Sequence, residues 1–98
     1  MPLDVGPLPP GATRVLRIEG RDVLVCNVEG RLYACENRCP HQDFALDDAR
    51  LRGCFIECSL HGGRFDVRDG RPGRAPTRAS LVTFPVHATP DGGFEIEL

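Results

Sequence analysis

The chain of 98 residues contains no lysine, so all 12 of its basic residues are arginines, and it has no run of basic residues. A basic run is the usual electrostatic footprint of a nucleic-acid-binding segment, so we expect no nucleic-acid partner. Nowhere do about 18 apolar residues follow one another, which a membrane-spanning helix requires. Residues 1–12 lack the charged start and apolar run of a signal peptide. These absences predict a soluble, cytoplasmic protein with no membrane contact.

Length and charge limit the function further. Fourteen acidic residues against 12 basic ones give a formal net charge of −2, and 41% of the residues are hydrophobic. That content supports the modest core of one folded domain spanning residues 1–98, with no room for a separate catalytic region. We therefore expect a monomeric carrier or binding protein and not an enzyme.

No long helical period occurs along the chain. Short apolar segments alternate with turn signals such as Glu29-Gly30 and Asp91-Gly92-Gly93. The predicted strands cover residues 13–18, 22–28, 31–35, 54–57, 64–67, 81–88 and 94–98. Residues 2–11 are rich in proline and glycine, and we expect them to cross the surface before the first strand. The pattern predicts an all-β protein built as an antiparallel sandwich or barrel.

Two short motifs in probable loops bring cysteine and histidine together. They are Cys39-Pro40-His41 and Cys58-Ser59-Leu60-His61. Two cysteines and two histidines suit either a tetrahedral zinc ion or a [2Fe–2S] cluster in which histidines replace two of the thiolates. Common zinc fingers pair cysteine with cysteine, whereas each motif here offers one cysteine and one histidine. The arrangement favours the cluster, and a zinc-stapled binding module is the alternative.

The sequences that flank these motifs form a characteristic pattern together with them. They are Leu32-Tyr33-Ala34, Asn37-Arg38-Cys39-Pro40-His41 and Gly53-x-x-Ile56-x-Cys58-x-x-His61-Gly62-Gly63-x-Phe65. This pattern resembles the Rieske ferredoxins of bacterial ring-hydroxylating dioxygenases from about residue 13 to residue 98. The resemblance implies the Rieske fold, with a small cluster-binding subdomain formed by loops 37–46 and 57–65. A proline loop, 72–78, would follow a turn at Gly70 and carry Pro76.

The same resemblance implies the ligands and the partners. Cys39 and Cys58 would bind the inner iron, and His41 and His61 the outer iron near the surface. A flavin-dependent reductase would supply the electron, and a terminal oxygenase would receive it. His87 is the only other histidine, so the 2-His-1-carboxylate iron site of an oxygenase cannot be assembled. A Rieske-like small subunit of another reductase, such as a nitrite reductase, is the remaining alternative.

The residues around the motifs predict a low reduction potential. High-potential Rieske proteins have a disulfide where this chain has Phe44 and Leu60, and a serine where it has Gly63. The only tyrosine, Tyr33, lies upstream of both loops. Fewer hydrogen bonds to the cluster stabilise the added electron less, which favours the low end of a range of about −150 to +300 mV.

The other candidate residues receive structural interpretations. We expect Cys26 and Cys35 to pack in the core as small hydrophobic residues. Alternation along the strand places Cys54 on the face of Cys58, near the cluster loop. His87 is expected to have no ligand role. Charged loop positions, which could dock a partner but are more simply solvated, are Asp43, Asp47, Asp48, Arg64, Arg68, Arg71, Arg74 and Arg78.

Overall fold

The computed structural model describes residues 2–39, 45–46, 49–58, 63–73 and 80–98, and these form ten strands. The strands are β1 (Pro2–Leu3), β2 (Thr13–Ile18), β3 (Arg21–Val28), β4 (Arg31–Glu36), β5 (Arg50–Arg52), β6 (Phe55–Glu57), β7 (Arg64–Asp66), β8 (Thr83–Phe84), β9 (Val86–Ala88) and β10 (Phe94–Ile96). Every strand pairing among them is antiparallel. No helix long and apolar enough to cross a membrane occurs in these ranges. The all-β, antiparallel prediction is confirmed.

Three sheets are present, with strand orders β2-β3-β4-β8, β1-β10-β9 and β5-β6-β7. The central strand of the first sheet, β3, is buried over most of its length. Because side chains alternate along a strand, Val23 and Val25 point to one face, and Leu24 and Cys26 point to the other. Two separate hydrophobic cores therefore lie against β3, one on each face.

The two cores have different partners. The first, here called the distal core, lies toward the β1-β10-β9 sheet and consists of Leu3, Val5, Val23, Val25, Leu32, Ala34, Phe84 and Ile96. The second, here called the site core, lies toward the β5-β6-β7 sheet and consists of Leu24, Cys26, Cys35, Cys39, Leu46, Ile56, Cys58, Phe65, Val67 and Leu81. Both predicted ligand cysteines belong to the site core.

Most predicted strands are present, with three differences. Predicted strand 81–88 is divided at Pro85 into β8 and β9, since proline lacks the N–H that a continuous ladder needs. Residues 50–52 form β5, which was not predicted. The expectation that residues 2–11 only cross the surface is wrong for their first part, because β1 pairs with β10 and Leu3 and Val5 are buried in the distal core.

A glycine fixes the turn after β7. Gly70 has a φ of +84° and is buried, and its carbonyl oxygen accepts a hydrogen bond from the Leu81 N–H at 2.8 Å. A Cβ atom at this position would overlap the Leu81 carbonyl oxygen. The turn predicted at Gly70 is therefore confirmed, and it needs glycine for both its conformation and its close contact.

Gly70→Ala should destabilise the protein by at least about 3 kcal/mol, because strain at positive φ and a clash with the backbone add together. Gly92→Ala is the matched control, with a φ of +87° and no heavy atom within 4 Å of its Cβ position. The control should lose only about 1 kcal/mol of stability, because it has the backbone strain without the clash. Urea unfolding measures both changes, and equal losses would contradict the close contact at Gly70.

Candidate metal centre

The first predicted cluster loop, 37–46, is closed at its base by an asparagine. The Asn37 side-chain oxygen accepts a hydrogen bond from the Leu46 N–H at 2.9 Å, and the Asn37 N–H donates to the Asp22 carbonyl oxygen at 2.9 Å. The loop is thus attached both to its own end and to β3. Within it Cys39 is 1% exposed. His41 lies outside the described residues, as do Asp43 and Phe44.

The second predicted cluster loop, 57–65, spans the β6-β7 hairpin. The Cys58 N–H donates to the Gly63 carbonyl oxygen at 2.7 Å, which closes the loop one residue beyond the last pair of the ladder. Cys58 is 5% exposed and Gly63 is buried. His61 lies outside the described residues, as does Leu60.

The fold brings Cys39 and Cys58 into the same apolar environment. Both are buried members of the site core, and neither forms a disulfide. Soft thiolates are the donors that iron–sulfur clusters use, and these two cysteines come one from each loop. The pair fits the cysteine half of a Rieske donor set.

Two further buried thiols differ in kind. Cys26 lies on β3 and Cys35 on β4, where the register makes them diagonal neighbours. Burial raises the pKa of Cys26 to about 12, and burial, with Cys26 and Glu36 nearby, raises the pKa of Cys35 as well. Neutral thiols on a sheet are poor metal ligands. The core-packing interpretation of both residues is confirmed.

Comparison with known proteins agrees with this geometry. The family model of the Rieske [2Fe-2S] domain matches residues 3–85. The chain belongs to the Rieske [2Fe–2S] domain family. It is 40% identical over 79 residues to the ferredoxin component of a naphthalene 1,2-dioxygenase system from Pseudomonas aeruginosa, a match that covers 81% of this chain and 76% of that protein. Over 83 residues it is 40% identical to the ferredoxin component of biphenyl 2,3-dioxygenase from Rhodococcus jostii (strain RHA1), covering 83% and 76% of the two chains.

Solved structures show the same fold. The ferredoxin of carbazole 1,9a-dioxygenase from Nocardioides aromaticivorans IC177 superposes with a TM-score of 0.82 at 31% identity, covering 91% of this chain and 86% of that one. A chain from the complex of reduced oxygenase and oxidized ferredoxin in carbazole 1,9a-dioxygenase gives 0.81 at 32% identity, with 92% of each chain covered. This Rieske protein is therefore an electron-transfer ferredoxin with a [2Fe–2S] cluster. The family match favours the cluster over the alternative zinc-stapled module.

Two residues outside the motifs can be placed in the Rieske protein. Cys54 lies in the turn before β6, half-buried beside Tyr33 and Arg68 and at the opposite end of the strand from Cys58. Four residues of extended chain span about 13 Å, and the proximity of Cys54 to the cluster loop stays a prediction. His87 is exposed, and its Nε2 lies 3.0 Å from Glu97 Oε2.

Sequence reasoning missed the polar contacts that hold the base of the proline loop. Gly73 N–H donates to the Arg64 carbonyl oxygen at 2.8 Å, and Leu81 N–H donates to Gly70. The start of the proline loop is thereby attached to the first residue of β7, and the chain that follows the loop is attached to the turn after β7. Pro76 and the other residues 74–79 lie outside the described part of the chain. Main-chain contacts of this kind leave no periodic signal in a sequence.

Asp66 holds the turn between β7 and that segment. Its carboxylate accepts hydrogen bonds from the Arg68 N–H at 2.9 Å and from the Arg68 guanidinium, with Nη2 at 2.8 Å. The Asp66 N–H donates to the Arg71 carbonyl oxygen at 2.9 Å. The guanidinium bond from Arg68, then its backbone N–H, holds the pKa of Asp66 below its ordinary value. Asp-x-Arg at a turn was visible in the sequence, but burial of the carboxylate was not.

Asp66→Asn should lower the free energy of unfolding by about 1 kcal/mol at pH 7, since one charge-assisted pair to a half-exposed arginine is lost. A lowered folded-state pKa stabilises the protein fully above the unfolded value of about 3.9 and loses that effect as pH falls through the folded value. The gap between parent and variant should therefore be constant above about pH 5 and shrink below about pH 4. Thermal unfolding across pH checks this, with Glu95→Gln, at an exposed position of β10, as control. A gap independent of pH would contradict the ionised pair.

Proposed function

We propose that this ferredoxin carries single electrons from a flavin-dependent reductase to a terminal ring-hydroxylating oxygenase. The ferredoxin components among its relatives belong to naphthalene and biphenyl dioxygenase systems. A related chain was solved in a complex of oxygenase and ferredoxin. These relatives support the oxygenase as acceptor, and the reductase follows from the chemistry, because a carrier needs a donor. We also propose that residues 1–98 act as one cytoplasmic, monomeric Rieske domain. Both cores include residues of β3, which supports the single domain.

The proposed ligands are Cys39 and Cys58 for the inner iron, and His41 and His61 for the outer iron. The observation that carries this assignment is that two buried cysteines, one from each closed loop, belong to one core and form no disulfide. Each cysteine is followed in sequence by a histidine, two residues on in the first loop and three in the second. When bound, the cluster supplies a one-electron redox couple.

The surroundings of the thiols support a potential at the low end of the Rieske range. The site core around Cys39 and Cys58 is apolar, with Leu46, Ile56 and Phe65 among its buried members. These side chains limit the access of water to the two cysteines. Gly63, which has no side chain to donate, is buried beside the end of the second loop. Hydrogen bonds to sulfur raise a cluster's potential, so a glycine in place of a hydroxyl donor at residue 63 favours a lower one.

Replacing Cys39 or Cys58 by serine should abolish the cluster, because a hard alkoxide substitutes poorly for a soft thiolate. Cys26→Ser and Cys35→Ser are the matched controls from the same core, and they should keep the cluster while losing about 1 to 3 kcal/mol of stability. Iron and sulfide analysis reports occupancy. Stoichiometric cluster in either ligand variant would disprove the assignment.

The reduced parent should also give an electron-paramagnetic spectrum with a mean g below that of all-cysteine clusters. A spectrum typical of four thiolates would exclude His41 and His61 as ligands.

The role as a carrier is tested by reconstitution. Purified ferredoxin, mixed with a flavin-dependent reductase and a naphthalene-type oxygenase, should be reduced by NADH and should support substrate hydroxylation in proportion to its concentration. Cys58→Ser protein is the control and should support neither step. Reduction without any transfer to oxygenases of this class would contradict the proposed acceptor. A protein that the reductase cannot reduce would contradict the proposed donor.

A further inference from the structure

A row of charged side chains crosses the β5-β6-β7 sheet directly below the second cluster loop. The register pairs Arg50 with Glu57 and Glu57 with Arg64. The neighbouring row pairs Leu51, Ile56 and Phe65, of which Ile56 and Phe65 are fully buried in the site core. Since side chains alternate along strands, the charged row lies on the opposite, outward face. Glu57 immediately precedes Cys58, so this row is the last before the loop.

The glutamate in this row is engaged by two arginines. Glu57 Oε2 lies 3.1 Å from Arg64 Nε and 3.7 Å from Arg52 Nε. The Glu57 side chain is 25% exposed and that of Arg64 is 37% exposed. The Arg64 guanidinium carbon also lies 6.0 Å from the centre of the Phe55 ring. Partial burial and this ring contact restrict Arg64, so the pair loses less entropy than a fully exposed ion pair would.

The position of the pair in the hairpin gives it a specific effect. Glu57 precedes Cys58 and Arg64 follows Gly63, and these inner residues are joined by the 2.7 Å hydrogen bond from Cys58 N–H to the Gly63 carbonyl oxygen. The Glu57–Arg64 ion pair joins the same two ends of the second cluster loop on the outer face of the sheet. On the proposed ligand set, this loop carries Cys58 and His61.

We propose that Glu57 and Arg64 are positioning residues for the cluster. Their ion pair, here called the clasp, holds the two ends of the second cluster loop together, and their opposite charges shift the reduction potential of the cluster in opposite directions. The proposal rests on the proposed function, in that Cys58 must be a cluster ligand. Adjacent Cα atoms lie about 3.8 Å apart. Glu57 adjoins Cys58 and Arg64 adjoins Gly63, so on the proposed ligand set both charges would act on the cluster over separations of the order of the Debye length, about 8 Å, at which salt screens charges incompletely. A negative charge at residue 57 opposes the added electron, and a positive charge at residue 64 favours it.

The test uses Glu57→Gln, Arg64→Gln and the double variant. Each single variant breaks the clasp, so each should release iron to a chelator about two- to fivefold faster than the parent. Their reduction potentials should move apart, with that of Glu57→Gln higher and that of Arg64→Gln lower than the parent's. The double variant removes one charge of each sign and should return close to the parent's potential while keeping the faster iron release. Protein-film voltammetry gives the potentials, and a smaller spread at 1 M salt should confirm their electrostatic origin.

Two controls remove a paired charge elsewhere. Arg17 pairs with Asp22 on the β2-β3 hairpin, and Glu97 pairs with His87 beyond β10. Arg17→Gln and Glu97→Gln should change neither iron release nor potential. Arg64→Lys keeps the charge and should keep the parent's potential, which a role limited to packing of the guanidinium would not explain.

The outcomes of these experiments distinguish failure of the proposed clasp from failure of the proposed function. Single variants whose potentials shift in the same direction, or whose iron release equals the parent's, would overturn the proposal even though the parent is a functional carrier. A parent without the Rieske electron-paramagnetic spectrum would instead overturn the ligand assignment, and the clasp would fall with it. Shifts of opposite sign together with faster iron release in both single variants support the clasp.

Discussion

Strand β3 is buried on both faces, and the two cores of the molecule depend on it. Its backbone is paired along its length with β2 on one edge and β4 on the other. Its run of apolar residues then supplies Val23 and Val25 to the distal core and Leu24 and Cys26 to the site core. A strand whose backbone groups are hydrogen-bonded at both edges and whose side chains are packed on both faces is a rigid support. The first cluster loop is attached to it, since the Asn37 N–H at the base of that loop donates to the Asp22 carbonyl oxygen.

On this support, a small number of polar contacts define the site. Each cluster loop is closed at its base by one hydrogen bond, from Leu46 N–H to Asn37 and from Cys58 N–H to Gly63. The buried cysteines Cys39 and Cys58 are thereby presented by the loops without a disulfide, whereas Cys26 lies within strand β3. Below the second loop, the charged row Arg50, Glu57 and Arg64 lies on the outer face of the β5-β6-β7 sheet. An apolar interior with charges at its edge is a suitable environment for a redox centre, because the field at the cluster is then set by few groups.

The order of the chain made part of this fold predictable. Strands β2, β3 and β4 were predicted within a residue, since they are long, apolar and separated by Gly-containing turns. Strand β5 was not predicted, because Arg50-Leu51-Arg52 offers only one apolar residue and pairs only through contact with β6. Leu3 and Val5 were placed on the surface, since prolines around them hide a strand that exists only by pairing with β10. Cys54 fits the alternation of Ile56 and Cys58, but the strand begins at Phe55 and Cys54 stays in the turn.

By itself the sequence determined the all-β class, the family and the two motifs that name Cys39, His41, Cys58 and His61, because metal-ligand chemistry requires particular residue types at short, fixed spacings. Only the tertiary structure decided that Cys39 and Cys58 share one core, that the buried Asp66 pairs with Arg68, and that Glu57 lies between Arg52 and Arg64. Charged residues occur throughout this chain, and nothing in their order distinguishes a paired one from a solvated one. Register and burial make that distinction, and both arise from contacts between segments that are distant in the chain.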